Sequence, residues 1–280
     1  MALFGRTAGF LLSSILAGTA LLAPAGAQDK QTTPDFFLGG AGWVGLNGGG
    51  PFYEAVPGVE PAPVVSDPKY PFEPNGTGKQ PTFRIADLTN PNLMPWVKEH
   101  MKKDIDEVLA GKSAFTPSSS CVPAGVPMFM GYGGPNPIVF LQKPKEVWMV
   151  FESDQQVRRV YMNVPHSANP KPSWYGESVG HYEGDTLVVD TIGLNTKTVV
   201  DVYRTPHTDK LHVMERWKLV DGGKGMEVVF TVEDPGAFYK PWTGMRRYRR
   251  ADYQPEEIVC AEGNFLLFDY GVPKADKPDF

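Results

Sequence analysis

Two carboxylates sit in stretches that read as strands and whose same-face neighbours are apolar. Side chains two apart along a strand share a face. Across Thr186 to Ile192, Asp190 shares its face with Val188 and Ile192, and across Leu211 to Leu219, Glu215 shares its face with Leu211, Val213, Trp217 and Leu219. This alternation predicts that both carboxylates point into one apolar interior. A carboxylate buried without a partner is costly and tends to keep its proton, which is how a general acid or base is tuned. The competing reading is a structural ion pair, for which Arg158, Arg216 and the Arg246-Arg247-Tyr248-Arg249-Arg250 run supply cations. His207, read as lying in a loop at the mouth of the same interior, is a third candidate for proton transfer. His212 alternates against Glu215, which puts it outside if Glu215 is inside. The His207-to-His212 spacing suits neither one strand face nor one helix face, so no metal site and no cofactor are expected from the pair. Tyr161, His166, Trp174, Tyr182 and Trp217 are the expected lining of a pocket for a small apolar or aromatic ligand.

Two motif matches fail on context. Gly176-Glu177-Ser178-Val179-Gly180 spells G-x-S-x-G, but a nucleophile elbow needs a strand before the serine and a helix after it. Here Pro170 and Pro172 precede the match and the Asp185 turn follows. Gly40-Ala41-Gly42-Trp43-Val44-Gly45 spells G-x-G-x-x-G, yet no strand leads in and Gly48-Gly49-Gly50-Pro51 forbids the helix whose N-terminus would hold a pyrophosphate.

The elements that must position the carboxylates are hairpins. Val147 to Phe151 and Val157 to Met162 flank Ser153 to Gln156; Val179 to Glu183 and Thr186 to Ile192 flank Gly184-Asp185. Leu211 to Val220 and Met226 to Glu233 flank Asp221-Gly222-Gly223-Lys224, and Thr243 to Arg250 and Glu257 to Ala261 flank Asp252 to Pro255. Four successive hairpins without helices between them predict an antiparallel meander. The fold class is therefore mainly β, with the meander closing into a lipocalin-like barrel as first choice and a β-sandwich as second. One amphipathic helix is expected at about 95–110, where Trp96, Val97, Met101, Ile105, Val108 and Leu109 recur at helical steps after Pro95. Residues 28–90, rich in glycine and proline, read as an irregular arm, and 91–280 as a single β domain.

Residues 1–27 read as a signal peptide: Arg6, an apolar run to Leu22, then the small-x-small stretch Ala25-Gly26-Ala27. Ser13, Ser14, Thr19 and Pro24 interrupt a run already short for spanning a membrane, and no second stretch reaches that length. A periplasmic or secreted location follows as an expectation. The 280-residue chain has a formal net charge of −5, which gives no reason to expect nucleic acid as a partner. Its two cysteines, Cys121 and Cys260, would meet an oxidising compartment, where a disulfide between them is the expected outcome.

The segments RRVYMNVPH (158–166), PSWYGESVGHYEGDTLVVDTIGLN (172–195), PHTDKLHVMERW (206–217) and VEDPGAFYKPWT (232–243) resemble a large family of secreted proteins from proteobacteria and other soil bacteria. Cys121-Val122-Pro123 and Ile258-Val259-Cys260-Ala261-Glu262 match the same pattern. The resemblance implies export and compact β structure, and no reaction. Two functions stand open on the residues: a cofactor-independent lyase, isomerase or hydrolase using Asp190, Glu215 or a loop histidine, and a non-catalytic carrier using the same lumen. An envelope interaction protein acting through the Gly/Pro arm is a third.

Overall fold

The computed structural model describes residues 33–40, 42–46, 53–70, 84–110, 117, 121–131, 137–152, 156–251, 256–257 and 259–260. The stretch read as a signal peptide, the Gly48-Gly49-Gly50 stretch and the expected turn at Asp252 to Pro255 lie outside them. The described elements are β1 (Gly42–Gly45), β2 (Glu54–Ala55), α1 (Pro95–Leu109), α2 (Met128–Gly131), β3 (Ile138–Gln142), β4 (Glu146–Phe151) and β5 (Gln156–Met162). β6 (Glu177–Glu183), β7 (Thr186–Ile192), β8 (His212–Val220), β9 (Gly225–Glu233) and β10 (Trp242–Ala251) follow.

Nine strands close into a barrel in the order β1-β3-β4-β5-β6-β7-β8-β9-β10, with β10 returning to β1. The expected meander is corrected at one place. β5 and β6 run parallel, sharing three rungs from Val160↔Ser178 to Met162↔Gly180. Parity requires this, because a closed ring with an odd number of strands cannot alternate direction throughout. A parallel pair needs a crossover rather than a hairpin, and residues 163–176 supply it along the outer wall. They are fastened there by the Asn163 N–H to the Gly180 carbonyl and by the Ser173↔Leu194 bridge.

Two further boundaries differ from the sequence expectation. The ring closes through β1, a Gly-Trp-Val-Gly stretch inside the segment read as an irregular arm, which pairs with β10 from Gly42↔Ala251 to Gly45↔Tyr248 and with β3 at Trp43↔Ile138. β2 continues along the same edge of β10, at Glu54↔Met245 and Ala55↔Gly244. Conversely, Glu257 and Val259 are not in a strand, so the pair expected after β10 is absent among the described residues. Glycine weakens a strand on its own, but at Gly45 it is required. A Cβ there would meet the inward Arg246 guanidinium at bonding distance.

Alternation then sorts the side chains. Val147, Met149, Phe151, Arg158, Val160, Leu187, Val189, Val213, Glu215, Trp217, Val228 and Phe230 are buried, and their neighbours one residue along face the other way. The lumen is filled. α2 enters it, and Phe129 packs against Trp217, which also contacts Phe140 and Tyr248. The Tyr248 hydroxyl donates to the Met130 carbonyl, and the Tyr53 hydroxyl lies within 3.0 Å of the Pro127 carbonyl. α1 buries Val97, Met101, Ile105 and Val108, as its periodicity predicted. Trp96, expected on that face, is instead exposed and donates its indole N–H to the Gly236 carbonyl at 2.7 Å. A disulfide joins Cys121, ahead of α2, to Cys260, beyond β10. No helix among the described residues is long and apolar enough to cross a membrane.

Candidate functional site

Glu215 and Asp190 do not share a cavity. The register Val189↔Glu215 and Asp190↔Met214 puts them on neighbouring strands but on opposite faces. Glu215 points inward and is fully buried, as expected. Arg158 meets it with a two-pronged fork, Nη1 to Oε1 at 3.0 Å and Nη2 to Oε2 at 2.6 Å. The remaining guanidinium donors reach the Ser178 hydroxyl from Nε at 3.2 Å and the Thr191 hydroxyl from Nη2 at 2.7 Å, while Phe129 covers its flat face. Ser178, the serine of the G-x-S-x-G match, is thus a buried acceptor within this network. The arrangement ties β5, β6, β7 and β8 together across the parallel seam. Both Glu215 oxygens and all three Arg158 nitrogens are engaged in this closed space, so Glu215 serves as half of a structural ion pair.

Asp190 faces outward, which corrects its expected inward placement. Both faces of β7 carry apolar residues, so alternation alone could not choose the inner one. On the outer wall Asp190 becomes the centre of a chain of five ionisable groups. His212 Nε2 donates to Asp190 Oδ1 at 2.8 Å, and His166 Nε2 stands 3.2 Å from the same oxygen, an ion-pair contact that is off-axis for a hydrogen bond. His166 Nδ1 lies 3.1 Å from Glu177 Oε1, and His212 Nδ1 lies 3.6 Å from Glu233 Oε2. Glu177 also accepts from the Ser167 hydroxyl and backbone N–H at 2.7 Å each. These bonds pin the crossover to the wall, since His166 and Ser167 belong to it.

The electrostatics follow from the contacts. Burial works to raise the Asp190 pKa, but the hydrogen bond from His212 and the close contact with His166 outweigh it and hold the group below the usual range. The bond to Asp190, set against partial burial, raises the His212 pKa above that of a free imidazole. Hydrogen bonds from Ser167 hold Glu177 low. The contact thus favours an ionised Asp190 beside a protonated His212. Among the described residues no three His, Cys, Asp or Glu side chains converge on one point as metal ligands. Both imidazoles approach a single carboxylate oxygen, a geometry of hydrogen bonding rather than of chelation.

The other expected site residues are dispersed. His207 is buried rather than at an open mouth. Its Nδ1–H donates to the Thr208 carbonyl at 2.8 Å, which leaves Nε2 to accept from the Thr198 hydroxyl at 2.7 Å, and burial lowers its pKa. It is a neutral, structural histidine. Trp217 lines the lumen as expected but is fully packed. Tyr182 is inward and half-buried, its hydroxyl accepting from Gln142 at 2.7 Å. Trp174 is half-buried in the crossover. Tyr161, expected inside, is exposed on the outer wall because Arg158 and Val160 take the inward positions of β5. It lies on one rung with Val179, Asp190 and Met214. The structure thus brings Tyr161, His166 and Asp190 to one wall, and adds Glu177, His212 and Glu233. His212 was legible as outward from its alternation; Glu177 and Glu233 carried no signal, because their proximity depends on the crossover and on β9. No family model, curated protein or solved structure matches the chain.

Proposed function

We propose that this chain is a cofactor-independent acid–base enzyme, of the lyase or isomerase kind, whose proton carrier is His212 on the outer wall of the barrel. The observation that carries the reading is the inequality of the two His212 ring nitrogens. Nε2 is held at 2.8 Å by Asp190, while Nδ1 stands 3.6 Å from Glu233, a side chain 55% exposed. An imidazole oriented through one nitrogen and loosely met at the other is the arrangement that general acid–base catalysis needs. His166 is the second imidazole against Asp190, and Glu177 holds His166 in turn. Val179 and Met214, flanking Asp190 on its rung, with Tyr161 beyond, offer an apolar shelf for a small apolar or aromatic substrate. The carrier reading loses its support, because the lumen it requires is filled by Phe129, Phe140 and Trp217. The leader, the disulfide and the resemblance to secreted bacterial proteins support a periplasmic or secreted place of work.

The test is solvent-deuterium exchange. A panel of small aromatic ketones and aldehydes with an acidic C–H is incubated in D₂O with the protein, and mass shift is followed with time. Exchange above the protein-free rate that falls at least about a hundredfold in His212→Gln supports the reading. No exchange across the panel, or exchange indifferent to the substitution, ends it.

A further inference from the structure

A neighbouring stretch of the outer wall, on β3, β4 and β5 and meeting the histidine cluster's wall at Tyr161, has the composition of a surface that meets lipid. Alternation and register lay out a three-by-three grid of outward residues. Its rungs are Val139↔Val150↔Val157 and Leu141↔Trp148↔Arg159, followed by the Glu146↔Tyr161 pair with Lys143 at its end. Six of these nine side chains are apolar or aromatic, and Leu141, Val157 and Tyr161 are exposed, as is Val164 just beyond. Such a run is unusual on the outside of a barrel, where charged residues normally alternate with the buried ones.

The cations here differ from those on the other wall. Arg216 is paired with Glu183 at 2.7 Å, Lys218 with Asp185 at 3.1 Å and Arg247 with Glu54 at 3.4 Å. Lys143 and Arg159 have no carboxylate partner among the described residues. Both lie on the Trp148 ring, at 4.2 Å and 5.0 Å from its centroid, and the indole N–H is tied to Glu146 at 2.7 Å. Two unneutralised cations held on an aromatic ring amid apolar side chains call for an anionic partner with an apolar body.

We infer that this face docks the protein on a membrane surface carrying anionic lipid headgroups. Size decides against a stable protein partner. Three strands and three outward residues span roughly 10 by 14 Å, far below the ~800 Å² per side of a standard interface. Convexity decides against a small-molecule pocket, which is concave. A shallow insertion of valine, leucine and tyrosine at the interface, with Lys and Arg at headgroup level, needs neither area nor a cleft. The inference stands on Lys143, Trp148 and Arg159, none of which the acid–base reading uses; Tyr161 alone borders both faces.

Vesicle co-sedimentation tests it, using the purified protein in the form the cell accumulates. Binding to vesicles with about a third phosphatidylglycerol is expected to exceed binding to pure phosphatidylcholine, and to weaken with salt. Lys143→Gln with Arg159→Gln should lower partitioning about thirty-fold, near fivefold for each charge removed. Trp148→Ala should lower it further without removing the salt dependence. Circular dichroism and melting confirm that each variant is folded. Equal binding to both vesicle types, or binding untouched by the double substitution, overturns the inference. So does a saturable complex with an acidic polypeptide such as polyglutamate in the absence of vesicle binding.

Discussion

Glu215 and Asp190 stand on adjacent strands, one pleat apart, and share a carboxylate chemistry that their surroundings pull in opposite directions. On the inside Glu215 meets a guanidinium whose every donor is engaged, in a space closed by Phe129. On the outside Asp190 meets His166 and His212, the second with its pKa raised by the contact, and it remains about one-third exposed. The inner pair is a rivet and the outer cluster is a proton store. The difference shows that a buried carboxylate is no sign of chemistry by itself. What matters is whether its partner can titrate.

The inner half of the comparison breaks most visibly. Glu215→Gln should cost about 3 to 5 kcal/mol, because it leaves the Arg158 charge buried without its counter-ion. Replacing both members together, with Arg158→Met and Glu215→Leu, should recover much of that loss. Urea titration measures both, and a single variant as stable as the parent would mean that the pair is not held as described.

A third carboxylate sharpens the rule, since it is buried with hydrogen bonds and no described counter-ion. Asp201 accepts from the Thr205 hydroxyl at 2.7 Å and from the Tyr203 and Thr205 backbone N–H groups, yet burial raises its pKa to about 6. Its folded pKa exceeds the unfolded value, so the native state keeps the proton longer. The Asp201 contribution to stability should then fall as pH rises from about 4 to 6, by on the order of 3 kcal/mol. In Asp201→Asn that fall should vanish. Plotting the stability difference between parent and variant against pH isolates it; a flat difference would sink the assignment.

On the outer wall the effects are smaller in stability and larger in titration. Asp190→Asn should cost only about 1 kcal/mol and should lower the His212 pKa from its raised value. The sign follows from linkage: with its folded pKa above the unfolded one, His212 stabilises below the unfolded pKa, and the gain is lost as pH rises through the folded value. Proton NMR of the His212 ring reports the midpoint directly. An unchanged midpoint would remove Asp190 as its partner.

The smallest global effect belongs to the crossover. His166→Gln should leave overall stability within about 0.5 kcal/mol while raising amide exchange across residues 163–176. Exchange in that segment equal to the parent's would show that Ser173, Pro170 and the backbone bonds hold it without the imidazole.

Much of the barrel is legible in the sequence because β4, β5, β8 and β9 alternate cleanly and Gly184-Asp185 and Asp221 to Lys224 mark turns. β1 is not, since two of its four residues are glycines and its stability comes from partners at either end of the chain. The parallel seam is hidden for the same reason. Residues 163–176 carry prolines and polar groups like any loop, and only the ring's closure shows that they run back along the wall. Of the candidate site, the identity of Glu215's neutralising arginine was among several open to it, and the outward turn of Asp190 was lost among apolar neighbours on both faces of β7. The histidine cluster assembles from β6, β7, β8, β9 and the crossover, so no local pattern announces it.

The chain visits the nine ring strands in their circular order, and direction fails to alternate only between β5 and β6. Gly42 and Ala251 stand as partners across β1 and β10. A circular permutant opened within 163–176, with the β10 end linked to the β1 start, would therefore visit every strand of the ring in turn, each antiparallel to the one before. Such a chain would make local the four rungs of β1 and the two of β2 with β10, leaving the three rungs of β5 with β6 as the pairing of its two ends. Lower contact order speeds folding, so the permutant should reach the same barrel faster than the natural order does, having traded the wall-hugging crossover for one more hairpin.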